Sequence, residues 1–197
     1  MSNFPAWRIS RGAAVADARD WAPITGIQIE YSLAERAADR ELLPMAEALG
    51  IGVGLWSPLG NGFLTGSLDY PIEDRDTRPP LPHWAQTKRP NAHDLVVRDI
   101  LGKVAADLQL SPAAVAYAWL LDKARRSTTS LIPTAGVNDA EQLRDVLSST
   151  EIILPQDILD TLDAASAPVL GEPHDHNNFH ADIVEGHGLI RPTLPIA

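Results

Sequence analysis

The apolar residues of this chain switch between two periods, and the switching predicts helices and strands in turn. Trp7, Ile9 or Arg11, Ala14, Val15 and Ala18 follow Pro5 at helical spacing until the Asp20-Trp21-Ala22-Pro23 break. Ile24 to Glu30 then alternates and is rich in β-branched residues, which predicts a strand. From about Asp39 to Leu49 the helical period returns, with Leu42, Leu43, Met45, Ala46 and Leu49 on the buried side and Gly50 as the stop. Ile51 to Trp56 reads as a short apolar strand whose glycines let a backbone or a ligand approach closely.

Ser57 to Pro90 breaks the pattern. It is polar, carries Pro71, Pro79, Pro80, Pro82 and Pro90, and keeps no period, so a long functional or mobile loop is expected. Leu95, Val96, Ile100, Leu101, Val104 and Leu108 make Ala92 to Leu108 an amphipathic helix, and Ser111-Pro112 caps a second helix over Ala113 to Asp122. Ser130 to Pro133 is a brief strand, Asp139 to Leu147 a helix opened by its own Asp cap, and Leu154-Pro155-Gln156-Asp157 starts a last helix through Ala165. Ala167 to Ala197 is a tail containing Pro, Gly and His. Three strands alternating with helices imply a parallel α/β arrangement. Three strands alone cannot close a barrel of eight.

Composition narrows the classes. With 197 residues, 45% of them hydrophobic, the chain can bury a substantial core. Its formal charge of −10 argues against a nucleic-acid partner, which needs clustered Lys and Arg. The small group Lys123-Ala124-Arg125-Arg126 reads as a solvated helix end. No cysteine is present, which excludes disulfides and thiolate chemistry and allows a reducing compartment. No stretch reaches the length of a membrane span and no basic-then-apolar leader opens the chain, so a cytoplasmic protein without membrane contact is expected.

Two segments stand out for chemistry: Ile27-Gln28-Ile29-Glu30-Tyr31-Ser32-Leu33 and Leu55-Trp56-Ser57-Pro58-Leu59-Gly60-Asn61-Gly62-Phe63-Leu64-Thr65-Gly66. Together they resemble the aldo/keto reductases, and Ser2-Asn3-Phe4 matches that family's Gly-x-Ser-Asn-Phe segment. The resemblance implies a partial (β/α)8 TIM barrel: its last three strands with their helices over residues 1–166, followed by a C-terminal tail over 167–197. In such barrels the loops after the strands form the active-site face. By resemblance Ser2, Asn3 and Gln28 bind the nicotinamide amide, whose donors and acceptors their side chains can match. Trp56 offers a flat face for the nicotinamide ring, or is simply a core Trp. Ser57, Pro58, Leu59 and Gly60 form a turn whose backbone N–H groups can approach the pyrophosphate.

A third segment, Ile132 to Leu147, resembles the family's Gly-Ala-(Arg or Ser)-x-x-x-Gln-x-x-(Glu or Asp)-Asn pattern. It implies an adenosine side made by Gly136, Asn138, Gln142 and Asp145 at a helix N-terminus that suits a phosphate. The chain departs from the pattern where Val146 replaces the Asn and where neither Arg nor Lys stands at Asn138. Ser67 likewise stands where many relatives carry Lys. The family implies NADP; these departures leave NAD open.

The family's catalytic Tyr, Lys, Asp and His come from earlier strands, and Tyr31, Tyr70 and Tyr117 lie in segments that do not match its Tyr. No catalytic residue is assigned, and little reductase activity is expected of the chain alone. A small carbonyl substrate is implied for the full-length family, and self-association through exposed barrel edges is expected here. Besides a truncated or split oxidoreductase, two readings stay open: a non-catalytic nucleotide-binding or regulatory module, and an unrelated (β/α) enzyme. Ser57, Ser111 and Ser130 lack a Gly-x-Ser-x-Gly elbow. His174, Asp175, His176 and His180 have metal-ligand spacing but read as a solvated tail. Trp84, Phe63 and Phe179 either line an apolar substrate pocket or anchor loops.

Overall fold

A computed structural model of the chain describes residues 1–66 and 90–179. The middle of the Pro-rich segment, with Ser67, Tyr70 and Trp84, and the tail from His180 onward lie outside the described residues. Three strands, β1 (Gly26–Glu30), β2 (Gly52–Trp56) and β3 (Leu131–Pro133), form a parallel sheet in the order β1-β2-β3. Gly26 pairs with Gly52 and Glu30 with Trp56, while Val53 pairs with Leu131 and Leu55 with Pro133. Seven α-helices surround it among the described residues: α1 (Ala6–Ala18), α2 (Leu42–Ala48), α3 (Ala92–Asp107), α4 (Pro112–Arg126), α5 (Ala140–Ser148), α6 (Gln156–Ser166) and α7 (His174–Phe179).

Local chemistry sets most of these boundaries. The Ser111 hydroxyl accepts the Ala114 N–H at 2.9 Å, and Pro112 follows as the first residue of α4. Asp139 caps α5 by accepting the Gln142 N–H at 2.8 Å. Asn91 and Asp94 cap α3 reciprocally, at 3.0 and 2.9 Å. Helix α2 begins three residues later than its apolar period predicts. Pro44 stands in its first turn, where the ring would clash with the Arg40 carbonyl of any longer helix, and a 3-10 turn over Ala37–Asp39 takes the space instead. Within the expected tail, α7 is an element that the sequence pattern did not announce.

One face of the sheet is dry. Ile27, Ile29, Val53 and Leu55 are buried in a core shared with Leu33, Leu64, Val97, Leu101, Trp119, Leu159 and Leu162. Every residue from Ala113 to Leu120 is buried, so α4 is enclosed on all sides over that stretch. The other face is bare among the described residues: Gln28 is exposed and Ile132, which pairs with Gly54 between them, is 61% exposed. All-parallel sheets are ordinarily covered on both faces, so half of this sheet lacks its usual cover here.

The basic end of α4 corrects one expectation. Lys123 is not solvated: its ammonium lies 5.1 Å from the Trp119 ring centre and 3.3 Å from Asp163. Burial and the neighbouring Arg36 both pull its pKa below the usual lysine value. Only Arg125 and Arg126 face solvent, Arg126 pairing with Asp122. Among the described residues no single helix is long and apolar enough to cross a membrane.

Candidate functional site

Residues 1–3 run beside β1 like a rudimentary strand. Ser2 forms a parallel bridge with Gln28, the Gln28 N–H donates to the Met1 carbonyl at 2.8 Å, and the Asn3 N–H donates to the Gln28 carbonyl at 3.1 Å. This pairing brings Ser2, Asn3 and Gln28 together, as their assignment to one amide subsite requires. Asn3 adopts a left-handed backbone with φ 56°, a region that Asn tolerates better than most residues. Its side-chain carbonyl accepts the Trp56 indole N–H at 3.1 Å, which fixes the ring's orientation and leaves the Asn3 amide N–H groups as donors.

Trp56 ends β2 and is half-buried, on the same bare face as Gln28 and Gly54. Side chains along a strand alternate, so Gly54 leaves a side-chain-sized gap flanked by Gln28 on β1 and Ile132 on β3, one step below the indole. A Cβ built on Gly54 would meet the Gln28 side chain at 3.6 Å, an ordinary contact. Folding therefore does not demand glycine here.

Past Trp56 the chain reverses tightly. Ser57 has φ 56°, its hydroxyl bonds the Asn61 side-chain oxygen at 2.7 Å, and Gly60 has φ 57°. The Gly60 N–H donates to the Ser57 carbonyl at 2.8 Å, and Pro58 has no N–H at all. Neither group is therefore available as a backbone donor, which narrows the expectation for this turn. Pro58 is buried, and Phe63, at 6% exposure, belongs to the core and not to an open pocket.

The residues expected on the adenosine side follow β3. The Thr134 N–H still pairs with the Leu55 carbonyl at 2.8 Å, after which Ala135 and Gly136 are exposed. Gln142 accepts the Asn138 N–H at 2.9 Å and so stiffens the loop entering α5. Asp145 turns away onto α4, where the Ser111 hydroxyl sits 2.6 and 2.8 Å from its two oxygens. In this arrangement Asp145 joins α5 to α4.

A polar cluster that the sequence reading missed lies at the exit of β1, where the Tyr31 N–H donates to the Trp56 carbonyl at 3.2 Å. Arg36, 9% exposed, donates from Nε to Asp39 at 2.5 Å and from Nη1 to Ser166 at 2.7 Å and Asp163 at 3.3 Å. Tyr31 donates to Asp39 at 2.6 Å and stacks on Trp119 at 5.9 Å between centroids. Burial, with Asp39 beside it, pushes the Tyr31 pKa well above the phenol range. Burial opposes the Arg36 charge, but Tyr31, Asp39 and Asp163 outweigh it and its pKa rises. The signal available in the sequence was Asp163, an acid set among Leu162, Ala164 and Ala165 on a helix of apolar period.

Comparison with known proteins bears on this arrangement. The family model for the aldo/keto reductase family matches residues 1–167. An uncharacterized oxidoreductase, YrpG, of Bacillus subtilis is 33% identical over 163 residues, 80% of this chain and 45% of its own. A putative aryl-alcohol dehydrogenase, C977.14c, of Schizosaccharomyces pombe is 27% identical over 154 residues, 78% of this chain and 42% of its own. The crystal structure of Gox0644 in its apo form superposes with a TM-score of 0.55 at 20% identity, over 83% of this chain and 45% of that one, a likeness of fold. The chain thus spans less than half the length of these relatives. With a parallel α/β sheet and a family match over most of its length, the chain belongs to the aldo/keto reductase family of oxidoreductases.

Proposed function

We propose that this chain carries the dinucleotide-binding part of an NADP-dependent aldo/keto reductase, folded as the last three strands of its (β/α)8 barrel. The observation that carries the reading is the junction of Ser2, Asn3, Gln28 and Trp56 at one end of the sheet, with the Asn3 amide and the indole held to each other. That set fits a nicotinamide: a ring-sized flat surface beside groups that can both donate to and accept from a carboxamide. A bound reduced nicotinamide supplies hydride to a carbonyl. Ser2, Asn3 and Gln28 orient the amide, Trp56 covers one ring face, and the gap at Gly54 leaves room beneath. The departures at Asn138, Val146 and Ser67 leave NAD as the second cofactor to test.

The proton for the carbonyl oxygen has no assigned donor in this sequence, since the segments that match the family do not include its Tyr, Lys, Asp and His. Reduction of a small carbonyl substrate is therefore proposed for a longer assembly, with the isolated chain inactive. As an outer strand of the described sheet β3 suits pairing with a further strand, and the bare face suits packing against further elements, from a longer chain or a second copy. Absence of cysteine fits a cytoplasmic setting.

Titration with NADPH and NADH, followed by nicotinamide fluorescence and by thermal stability, tests the reading, because a ligand of the folded state raises its stability. Saturable binding is expected, weakened at least about tenfold by Trp56→Ala, the loss of about 1.4 kcal/mol of stacking. Gly54→Val should abolish binding while keeping the fold. Absent binding, or equal affinity in Trp56→Ala, would overturn the assignment. Binding without turnover is the result expected of the isolated chain, and reduction of a carbonyl by the chain alone would overturn its proposed inactivity.

A further inference from the structure

We propose that Arg36 is a positioning residue for the cofactor site, holding the loop after β1 against α4 and α6 so that the loop's other end fixes Trp56 and the Gly60 turn. The inference rests on the cofactor reading for its functional meaning and on geometry for the rest. Residues Tyr31 to Arg36 form one short arch. Ser32 and Glu35 exchange backbone hydrogen bonds, both at 3.1 Å, and the Ser32 hydroxyl accepts the Ala34 N–H at 3.2 Å.

One foot of the arch is Arg36. Its guanidinium bonds Asp39 on the following turn and Asp163 and Ser166 on α6, and lies 5.0 Å from the Trp119 ring centre on α4 and 5.7 Å from that of Tyr31. A planar group with five donors can serve all three acceptors and two rings at once, which an ammonium cannot. The other foot touches the candidate site. The Tyr31 N–H donates to the Trp56 carbonyl at 3.2 Å, and a Cβ on Gly60 would lie 3.9 Å from the Ala34 Cβ. Between the two feet the chain is buried at Tyr31, Ser32 and Leu33. A shift of Arg36 is therefore passed to the backbone that carries the indole.

The experiment labels the chain with 5-fluorotryptophan and assigns the Trp56 resonance by its loss in Trp56→Phe. Arg36→Gln is expected to shift or broaden that resonance and to weaken NADPH binding about tenfold. Arg36→Lys, which keeps the charge, should recover part of both effects and carries the test if Arg36→Gln does not fold. Val104→Ala, a core truncation on α3 that removes none of the Arg36 partners, is the control for lost stability alone and should leave the resonance and the affinity unchanged. An unmoved Trp56 signal in the Arg36 variants, or an equal shift in Val104→Ala, would overturn the positioning role. Absence of NADPH binding to the unaltered chain would instead defeat the cofactor reading, and the resonance would still decide the role of Arg36.

Discussion

Replacing Trp119 by alanine lowers the unfolding free energy of this chain by about 3–5 kcal/mol, the range for deleting a large buried aromatic. Trp119 is fully buried and the largest such side chain among the described residues. It stacks on Tyr31, lies beneath Arg36 and Lys123, and donates its indole N–H to Asp163 at 3.1 Å. Alanine would leave a cavity between α4, α6 and the β1 exit and would strand a half-buried carboxylate that had a neutral donor. Urea unfolding followed by circular dichroism measures the effect. A loss below about 1 kcal/mol would mean that the surroundings collapse into the space and that this junction is not a packing centre.

Asp163→Ala comes next, at about 2–3 kcal/mol, reduced from the range for breaking a fully buried pair because Asp163 is 31% exposed. It accepts from Arg36 and Trp119 and pairs with Lys123, so its removal leaves two cations close together with one counter-charge between them, Asp39. The sign of the pH dependence follows from Lys123. Its pKa is already lowered by burial and by Arg36, and Asp163 opposes that shift, so the variant depresses it further. A lysine with a lowered folded pKa costs stability at neutral pH and gives it back as pH rises toward the ordinary lysine value. The deficit of Asp163→Ala should therefore narrow over the pH interval that leads up to the ordinary lysine value. An unchanged deficit across that interval would show that Lys123 stays charged or leaves the site. Above about pH 10 the buried phenols lower the stability of both chains. Burial raises the Tyr31 pKa and moves that of Tyr117 to about 12, and the stability they contribute is lost as pH climbs through those values.

How much of this was legible in the sequence differs by element. The sequence located all three strands, α1 and α3 to α6: apolar spacing reports the buried faces of β1, β2, α1 and α3, while cap residues mark α4 and α5, the latter with no fully buried residue. Gly50 and Asp139 marked their boundaries directly. Helix α2 was placed too early because its apolar residues kept helical spacing while Pro44 overrode them. On the site side, the segments around Ser2, Gln28 and Trp56 carried a family signature, and the sheet pairs them. The Arg36 cluster was not legible. Its members come from three separate stretches, and a buried charge has no period to betray it. Asp145 shows the converse: the sequence motif gave its place along the chain, while its bond to Ser111 depends on how α5 lies against α4.

The sheet register also sets the order of difficulty in making this fold. Joining β1 to β2 closes a short loop, with Gly26 meeting Gly52, whereas joining β3 to β2 brings Val53 to Leu131 across the whole Pro-rich stretch, α3 and α4. Loop-closure entropy grows with the length enclosed, and contacts distant in sequence slow folding. The β1–β2 pair that carries Trp56 can thus assemble from neighbouring residues, while the strand leading to Gly136 and Gln142 arrives only after the helices between have found their places. Nascent chains would hold the Trp56 end of the proposed site before they held the Gln142 end.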